Sequence, residues 1–337
     1  MLETSLRVGI ASFAHVHAAS YARALGEIDG ASLVGVWDDV AERGREAAER
    51  SGTTFYERLE DLLASVDTVI VTAENARHRD LVLAAAAVGV HTLCEKPLAT
   101  TLADARAMID ACARAGVLLG TAFPVRYADA VRQLRGAVRN GTLGETLMIR
   151  ATNQGSYPGG WFGDPALAGG GALADHVVHV ADLLRWIWGA EIATVYAEAA
   201  TRYHDLPVED CGMLLIELDN GATASLDPSW SRPVDAWPTW GGLTIEVTGT
   251  LGVAGLDAFS QNLEVFGNQR VRAEWRGWGD NLDRLMLEDW LRAVRSGGPA
   301  PIGGEDGLRA LEVVLAAYQS AERHAPVAVT VRPDGEP

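Results

Sequence analysis

The chain is short of cysteine, of positive charge and of long hydrophobic runs. Its 337 residues include three cysteines, Cys94, Cys112 and Cys211. An odd number with no short spacing fits neither a disulfide framework nor a zinc site. It fits reduced thiols in a cytoplasmic protein. Lysine and arginine number 28 against 45 acidic residues, a formal net charge of −17, and the isoelectric point is near 4.8. Such a chain repels a phosphate backbone, so no nucleic-acid partner is expected. No apolar run is long enough to span a membrane. The most apolar stretch, Leu81 to Val90, reads as an Ala-rich helix closed by glycine and histidine. The first strand already begins at Leu6-Arg7-Val8, which leaves no signal peptide to expect. There is no repeat or low-complexity tract. What the chain does have is apolar bulk: 48% hydrophobic residues, enough for two domains or one large α/β unit.

The first half alternates strand and helix. Strands are predicted at Leu6–Ala11, Leu33–Trp37, Val66–Val71, a segment ending at Glu95, and Val117–Gly120. Helices are predicted at Val16–Leu25, Ala41–Arg50, Leu59–Leu63, a segment ending at Val88, and Leu102–Ala115. This alternation implies a doubly wound parallel sheet, with residues 1–122 as a dinucleotide-binding domain.

The turn after the first strand is where a phosphate-binding G-x-G-x-x-G loop belongs. The chain has Gly9-Ile10-Ala11-Ser12-Phe13-Ala14, with alanine at the second and third glycine positions. A helix N-terminus still offers N–H groups and a dipole to phosphate, so Gly9, Ser12, Phe13 and Ala14 are candidate cofactor contacts. A plain tight turn is the competing reading. Asp38 is a better signal. An acid at the end of the second strand can accept from both ribose hydroxyls. Asp39 stands where a 2′-phosphate binder would have arginine, so NAD is expected over NADP. Arg43 is near enough in sequence to swing toward a phosphate, and Asp38 could instead cap the next helix.

His91-Thr92-Leu93-Cys94-Glu95-Lys96-Pro97 reads as a strand ending in a charged pair and stopped by proline. Ligands of open α/β sheets sit outside the carboxyl ends of strands, which places Lys96 to touch a substrate. The plain alternative is a solvated ion pair in a turn.

The second half, 123–337, reads as an α+β domain on a mostly antiparallel sheet. Strands are predicted at Thr146–Thr152, Ile192–Ala199, Cys211–Leu218, Ala222–Leu226, Leu243–Val247 and Leu263–Phe266. Asp219-Asn220-Gly221 is a hairpin turn. Helices are predicted at Val131–Val138, Leu282–Arg295 and Leu308–His324. A further helix follows Gly169-Gly170-Gly171 and carries Asp175, His176, His179 and Asp182. Asp175 and His179 are four apart and share a face, so the carboxylate can orient the imidazole and raise its pKa. A metal on Asp175, His176 and His179 is not expected, because His176 lies about 100° round the helix from Asp175. Trp161, Trp230, Trp237 and Trp240 are candidates to stack on a sugar, against core packing as the alternative.

Taken together, Glu95-Lys96-Pro97 and Gly170-Gly171-Ala172-Leu173-x-Asp175-x-x-x-His179-x-x-Asp182 resemble the Gfo/Idh/MocA family of NAD(P)-dependent oxidoreductases. Val69-Ile70-Val71 with Thr72 and Asn75-x-x-His78 is similar to the family's strand and loop beside the nicotinamide. His17 is similar to the histidine opening its first helix, and Arg126-Tyr127 to the start of its second domain. The resemblance implies that Lys96, Asp175 and His179 form the catalytic group and that Asp38 holds the adenosine ribose. It further implies that His17, Asp39, Thr72, Asn75, His78 and Glu95 line the cofactor, and that Arg126 and His176 join Lys96, Asp175 and His179 around the substrate. Its Lys-Pro bond can be cis, which makes Lys96-Pro97 a candidate. Two departures stand out: the degraded glycine loop, and Ala73-Glu74-Asn75 where the family writes T-P-N.

The expectation is a dehydrogenase moving a hydride between a sugar, inositol or similar polyol and NAD, as a homodimer or homotetramer. The alternatives are redox-neutral glycoside hydrolysis or elimination with retained NAD, and a non-catalytic dinucleotide-binding regulator.

Overall fold

The computed structural model describes residues 5–239, 241–265, 274–277 and 279–329. Trp240, and Phe266 at the end of one predicted strand, lie outside the described residues.

The chain opens with β1 (Leu6–Ala11), α1 (Ala18–Leu25), β2 (Ala31–Trp37), α2 (Ala41–Ser51), β3 (Thr54–Tyr56) and α3 (Leu59–Leu63). It continues through β4 (Thr68–Val71), α4 (His78–Ala87), β5 (His91–Cys94), α5 (Leu102–Ala115) and β6 (Leu119–Thr121). Next come α6 (Asp129–Arg139), β7 (Thr146–Gly155), α7 (Pro165–Ala168) and α8 (Ala172–Trp188). Then follow β8 (Ile192–Ala200), β9 (Cys211–Leu218), β10 (Thr223–Asp227), β11 (Gly241–Gly249), β12 (Val253–Asp257), β13 (Asn262–Val265) and β14 (Glu274–Gly277). The chain closes with α9 (Leu282–Ser296), α10 (Gly304–Arg323) and β15 (Val327–Ala328).

Two compact units result. The first comprises Met1–Pro124, Ala166–Gly169 and Asn281–Leu308; the second comprises Val125–Pro165, Gly170–Asp280 and Arg309–Pro337.

The first unit holds a six-stranded parallel sheet in the order β3-β2-β1-β4-β5-β6. Its central strands are apolar because helices cover both faces; Val8, Ile10, Val69, Ile70 and Val71 are buried. The order reverses at β1 and β4, so a crevice opens there at the carboxyl ends. Local chemistry sets the helix limits. Thr101 caps α5 by accepting from Asp104 N–H at 3.1 Å, and left-handed Gly116 (φ 67°) ends it. The helix predicted from Val16 begins instead at Ala18, because His15 and His17 form the entry turn.

The second unit holds a seven-stranded sheet in the order β12-β11-β7-β10-β9-β8-β15. The β7–β10 pair is parallel, whereas the other pairs are antiparallel. A separate hairpin pairs β13 with β14. On β9, Leu214 and Ile216 turn inward while Met213 and Leu215 remain exposed.

Gly120 illustrates how tightly the first unit packs. A Cβ there would lie 2.8 Å from Trp290 Cζ3 and 3.1 Å from Leu93 Cδ1. Trp290 cannot retreat easily, because it is buried and its Nε1–H donates to Thr68 Oγ1 at 3.1 Å. Gly120→Ala is therefore expected to cost about 1–3 kcal/mol by overpacking. A urea melt within about 0.3 kcal/mol of wild type would contradict this packing.

Candidate active site

At the end of β1 the chain turns without glycine. Gly9 lies inside the strand, where a Cβ would press on Leu62 and Val66 at 3.0 Å, so its missing side chain serves packing and not phosphate. That corrects the cofactor contact expected of it. The left-handed position falls on Ser12, at φ 75°. A non-glycine residue there costs about 1–3 kcal/mol and needs support. Support comes from Ser12 N–H donating to the Trp37 carbonyl (2.7 Å), Ala14 N–H donating to Ser12 Oγ (3.2 Å) and Thr72 Oγ1–H donating to the Ser12 carbonyl (2.6 Å).

Asp38 ends β2 with a fully buried carboxylate. It accepts from Phe13 N–H (2.7 Å), Val40 N–H (2.8 Å) and Arg43, whose Nε–H and Nη2–H both donate at 2.8 Å. Arg43 also reaches Asp39 at 3.1 Å and Glu74 at 3.7 Å. Arg77 meets Asp39 at 2.5 Å and Glu74 at 3.5 Å. Glu74, standing where the family has proline, thus joins a basic pair.

Beyond β4, Asn75 Nδ2–H donates to the Ala168 carbonyl at 2.8 Å, and its Oδ1 is buried with no partner among the described residues. A buried acceptor calls for a donor. A dinucleotide at the strand-order reversal would supply donors there, so these residues fit the cofactor. His78 does not face such a ligand. It is fully buried, and its ring nitrogens lie 3.1 Å from the Pro97 and Ala73 carbonyls. Burial lowers its pKa, against the pull of those carbonyls. The ring expected beside the cofactor braces the turn at Pro97, where the Lys96–Pro97 bond is cis.

Glu95 ends β5 fully buried. It accepts from Tyr21 Oη–H at 2.5 Å, His17 Nδ1–H at 3.1 Å and Lys96 N–H at 3.0 Å. His15 Nε2 stands 4.0 Å away. Burial pushes the Glu95 carboxyl up, but the charges of His15 and His17 outweigh it and hold it far below the usual carboxylate range. Burial likewise opposes charge on His17, and Glu95 wins, raising that imidazole. Among the described residues, His15, His17 and Glu95 also form a cluster with metal-ligand atoms within 4.8 Å of one another. However, His15 Nδ1 accepts from His17 N–H at 3.2 Å, which leaves the ring proton on Nε2. In that tautomer Nε2, 4.0 Å from Glu95, carries a proton and is not a metal ligand. His15 escaped the sequence reasoning because nothing local ties it to Glu95, eighty residues later. Lys96 follows at the carboxyl end of the sheet, buried at 3% exposure.

In the second unit, α8 carries the other candidates. Asp175 accepts from Trp230 Nε1–H at 3.1 Å, and His176 Nε2 lies 3.3 Å from the same oxygen. His176 Nδ1–H donates to the Pro228 carbonyl at 2.8 Å. The ring expected beside the substrate thus meets Asp175 and the backbone. Helical angle alone underestimated the reach of adjacent side chains. Arg126 is likewise committed: Nε–H donates to Asp182 at 2.7 Å, and Nη2 pairs with the other oxygen. It is buried, so the residue expected at the substrate lies in an ion pair with Asp182. Asp175 and His179 keep a small exposed edge, 8% each. Of the tryptophans, Trp230 is core at 1% exposure, which removes it as a sugar platform. Trp161 stacks on Phe162 with centroids 4.0 Å apart, and Arg232 covers Trp237 at 4.1 Å.

The family model for an oxidoreductase family with an NAD-binding Rossmann fold matches residues 6–123, and that for the GFO/IDH/MocA C-terminal domain matches residues 131–254. A 1,5-anhydro-D-fructose reductase from Ensifer adhaerens is 32% identical, over 87% of this chain and 89% of its own. The chain belongs to the GFO/IDH/MocA family. A myo-inositol 2-dehydrogenase from Thermotoga maritima is 29% identical, over 94% of this chain and 96% of its own. Among solved structures, GenD2 from gentamicin A biosynthesis, in complex with NAD, superposes with a TM-score of 0.89 at 27% identity and covers 98% of both chains. This member therefore has the family's NAD-binding Rossmann fold, with Ser12 taking the turn that a glycine-rich loop would make.

The Glu95 cluster has a pH signature. Its folded pKa is depressed, so the stabilisation is present above the ordinary glutamate value of 4.5 and is lost as pH falls below it. Glu95→Gln is expected to cost about 3 kcal/mol at pH 7, as when one partner of a buried ion pair is removed. The gap to wild type should narrow on moving from about pH 5, where the raised His17 imidazole is already charged, to about pH 3. Equal destabilisation at both pH values in denaturant melts would refute the assignment.

Proposed function

We propose that this protein is an NAD-dependent dehydrogenase of a sugar, inositol or similar polyol, with NADP the poorer cofactor. The observation that carries the reading is that one family member has both a buried lysine, Lys96, at the carboxyl end of β5 and Asp175 and His179, each with a small exposed edge, on α8. The relatives support it by their names, which specify inositol and anhydrofructose as substrates.

NAD, when bound, supplies the hydride acceptor. The chain's own residues do the rest. His179 takes the proton of the substrate hydroxyl as general base. Lys96 stabilises the negative charge that grows on that oxygen. Asp175, held by Trp230 and His176, fixes the polar side of the site. Ser12, Phe13, Ala14, His17, Asp38, Asp39, Thr72 and Asn75 hold the cofactor, with Glu95 supporting Lys96 from behind. A panel of sugars and inositols, followed by absorbance of reduced NAD, tests the reading. Turnover is expected with at least one polyol and a lower kcat/KM with NADP. Lys96→Ala and His179→Ala should each cut kcat by about 10²-fold. Changes within twofold, or turnover with no net reduction of NAD, would defeat it.

The three cysteines are free thiols, two of them buried, which supports a reducing cytoplasmic location. Among the described residues, no helix is long and apolar enough to cross a membrane. The exposed face of the seven-stranded sheet carries Met213 (51%), Leu215 (58%) and Met148 (52%). Such apolar side chains favour burial against a second copy, giving a homodimer or a dimer of dimers. Light scattering at micromolar concentration should show at least a dimer, and a monomer would count against it.

A further inference from the structure

The helix that carries Asp175 and His179 begins without a capping side chain of its own. Gly171 stands at its N-cap, and the first donors of a helix have no partner within it. Here each finds one on a distant segment of the same unit. The Glu209 carboxylate accepts from Gly171 N–H at 3.0 and 3.1 Å and from Leu173 N–H at 2.9 Å. The Glu209 carbonyl accepts from Ala172 N–H at 3.0 Å. The Tyr318 hydroxyl accepts from Ala174 N–H at 3.2 Å and donates to Glu209 Oε1 at 2.8 Å. The next donor, Asp175 N–H, makes the first bond inside the helix, to the Gly171 carbonyl at 3.1 Å. The fastening thus ends at the residue where the chemistry starts.

Two glycines permit it by close approach. A Cβ on Gly171 would stand 1.9 Å from the Glu209 carbonyl oxygen, and one on Gly170 would stand 1.9 Å from the Tyr318 hydroxyl. That accounts for the glycines before α8 through residues 38 and 148 positions away. Fifteen of the seventeen residues of α8 are buried, so the helix itself does not depend on the cap. What depends on it is the first turn, where helices fray.

We propose that Glu209, braced by Tyr318, is a positioning residue for the reaction: it fixes the start of α8 and through it the Asp175 carboxylate and the His179 ring. This rests on the roles given above to Asp175 and His179. Neither Glu209 nor Tyr318 touches the reacting atoms. Small misplacements of reacting groups cost rate out of proportion to stability.

The test compares wild type, Glu209→Gln, which replaces one carboxylate oxygen by an amine that cannot accept, and Tyr318→Phe, which removes only the hydroxyl. Hydrogen exchange followed by mass spectrometry reads peptides within residues 171–182. Exchange there should speed up about tenfold in both variants, while peptides from residues 6–123 are unchanged. kcat per NADH-binding site, counted by fluorescence titration, should fall about tenfold in Glu209→Gln and about threefold in Tyr318→Phe, with NAD affinity unaltered. A merely structural role would lower the number of binding sites but not kcat per site. Unchanged exchange in both variants overturns the fastening, whatever the activity. Faster exchange with kcat per site within twofold of wild type overturns the positioning role. A wild type that reduces NAD with no polyol or sugar sinks the functional assignment instead, and the exchange data then decide the fastening alone.

Discussion

A carboxylate with no exposed surface sits where β5 ends, and the first unit is arranged to keep it charged. Burying an ion is costly unless partners surround it. Glu95 has the Tyr21 hydroxyl, the His17 imidazole and the Lys96 amide on its two oxygens, with His15 behind. Those partners come from the turn after β1, from α1 and from the chain just past β5. Three segments of the parallel sheet are therefore fixed at their carboxyl ends by one charge. Lys96 follows directly, so its backbone is placed before any ligand arrives. Asp283, at the start of α9, adds a further acid beside this group: burial raises its pKa, and Ser20 Oγ–H donates to it at 2.5 Å.

The second unit solves the corresponding problem with a helix. There the polar groups of α8 are buried in a row, and Asp175, His176 and Asp182 are matched from outside the helix. Asp175 meets Trp230, His176 meets the Pro228 carbonyl, and Asp182 meets Arg126. A helix so thoroughly buried cannot carry unmatched acids. The sheet and loops around it supply the donors, and the glycines ahead of it let Glu209 and Tyr318 approach. Rigid placement is what acid–base chemistry on a substrate hydroxyl requires.

Much of this was legible in the residues. Buried strands such as Val69-Ile70-Val71 announce themselves because both faces are covered, and α5 does so because Thr101 and Gly116 mark its ends. The short strand Thr54–Tyr56 and the exposed strand Val253–Asp257 left no apolar pattern, since each edges its sheet. The roles proposed for Lys96, Asp175 and His179 rest on motifs. The groups that hold these residues carry no such motif. His15, Glu209 and Tyr318 act across long stretches of chain, and a lone acid in Val208-Glu209-Asp210 looks like any loop acid. Where spacing on one helix was used as a guide, it paired Asp175 with His179 and put His176 out of reach. Side-chain length brought His176 to Asp175 all the same.

Asp38 shows how a role assigned by motif meets the chemistry around it. A carboxylate offers about four acceptor positions. Five donors already point at this one: the N–H groups of Phe13 and Val40, two from Arg43, and the Ser12 hydroxyl at 3.5 Å. The amide donors belong to the backbone of the turn and cannot leave without undoing it. A ribose that takes Asp38 as its acceptor must therefore displace Arg43. The displaced guanidinium has Asp39 at 3.1 Å and Glu74 at 3.7 Å within reach. It gives up one carboxylate and keeps the other two. A 2′-phosphate would have to draw Arg43 from all three acids and stand beside their charge. The same arginine that resembles a phosphate binder in the sequence is, by its neighbours, a reason for the pocket to favour the unphosphorylated cofactor.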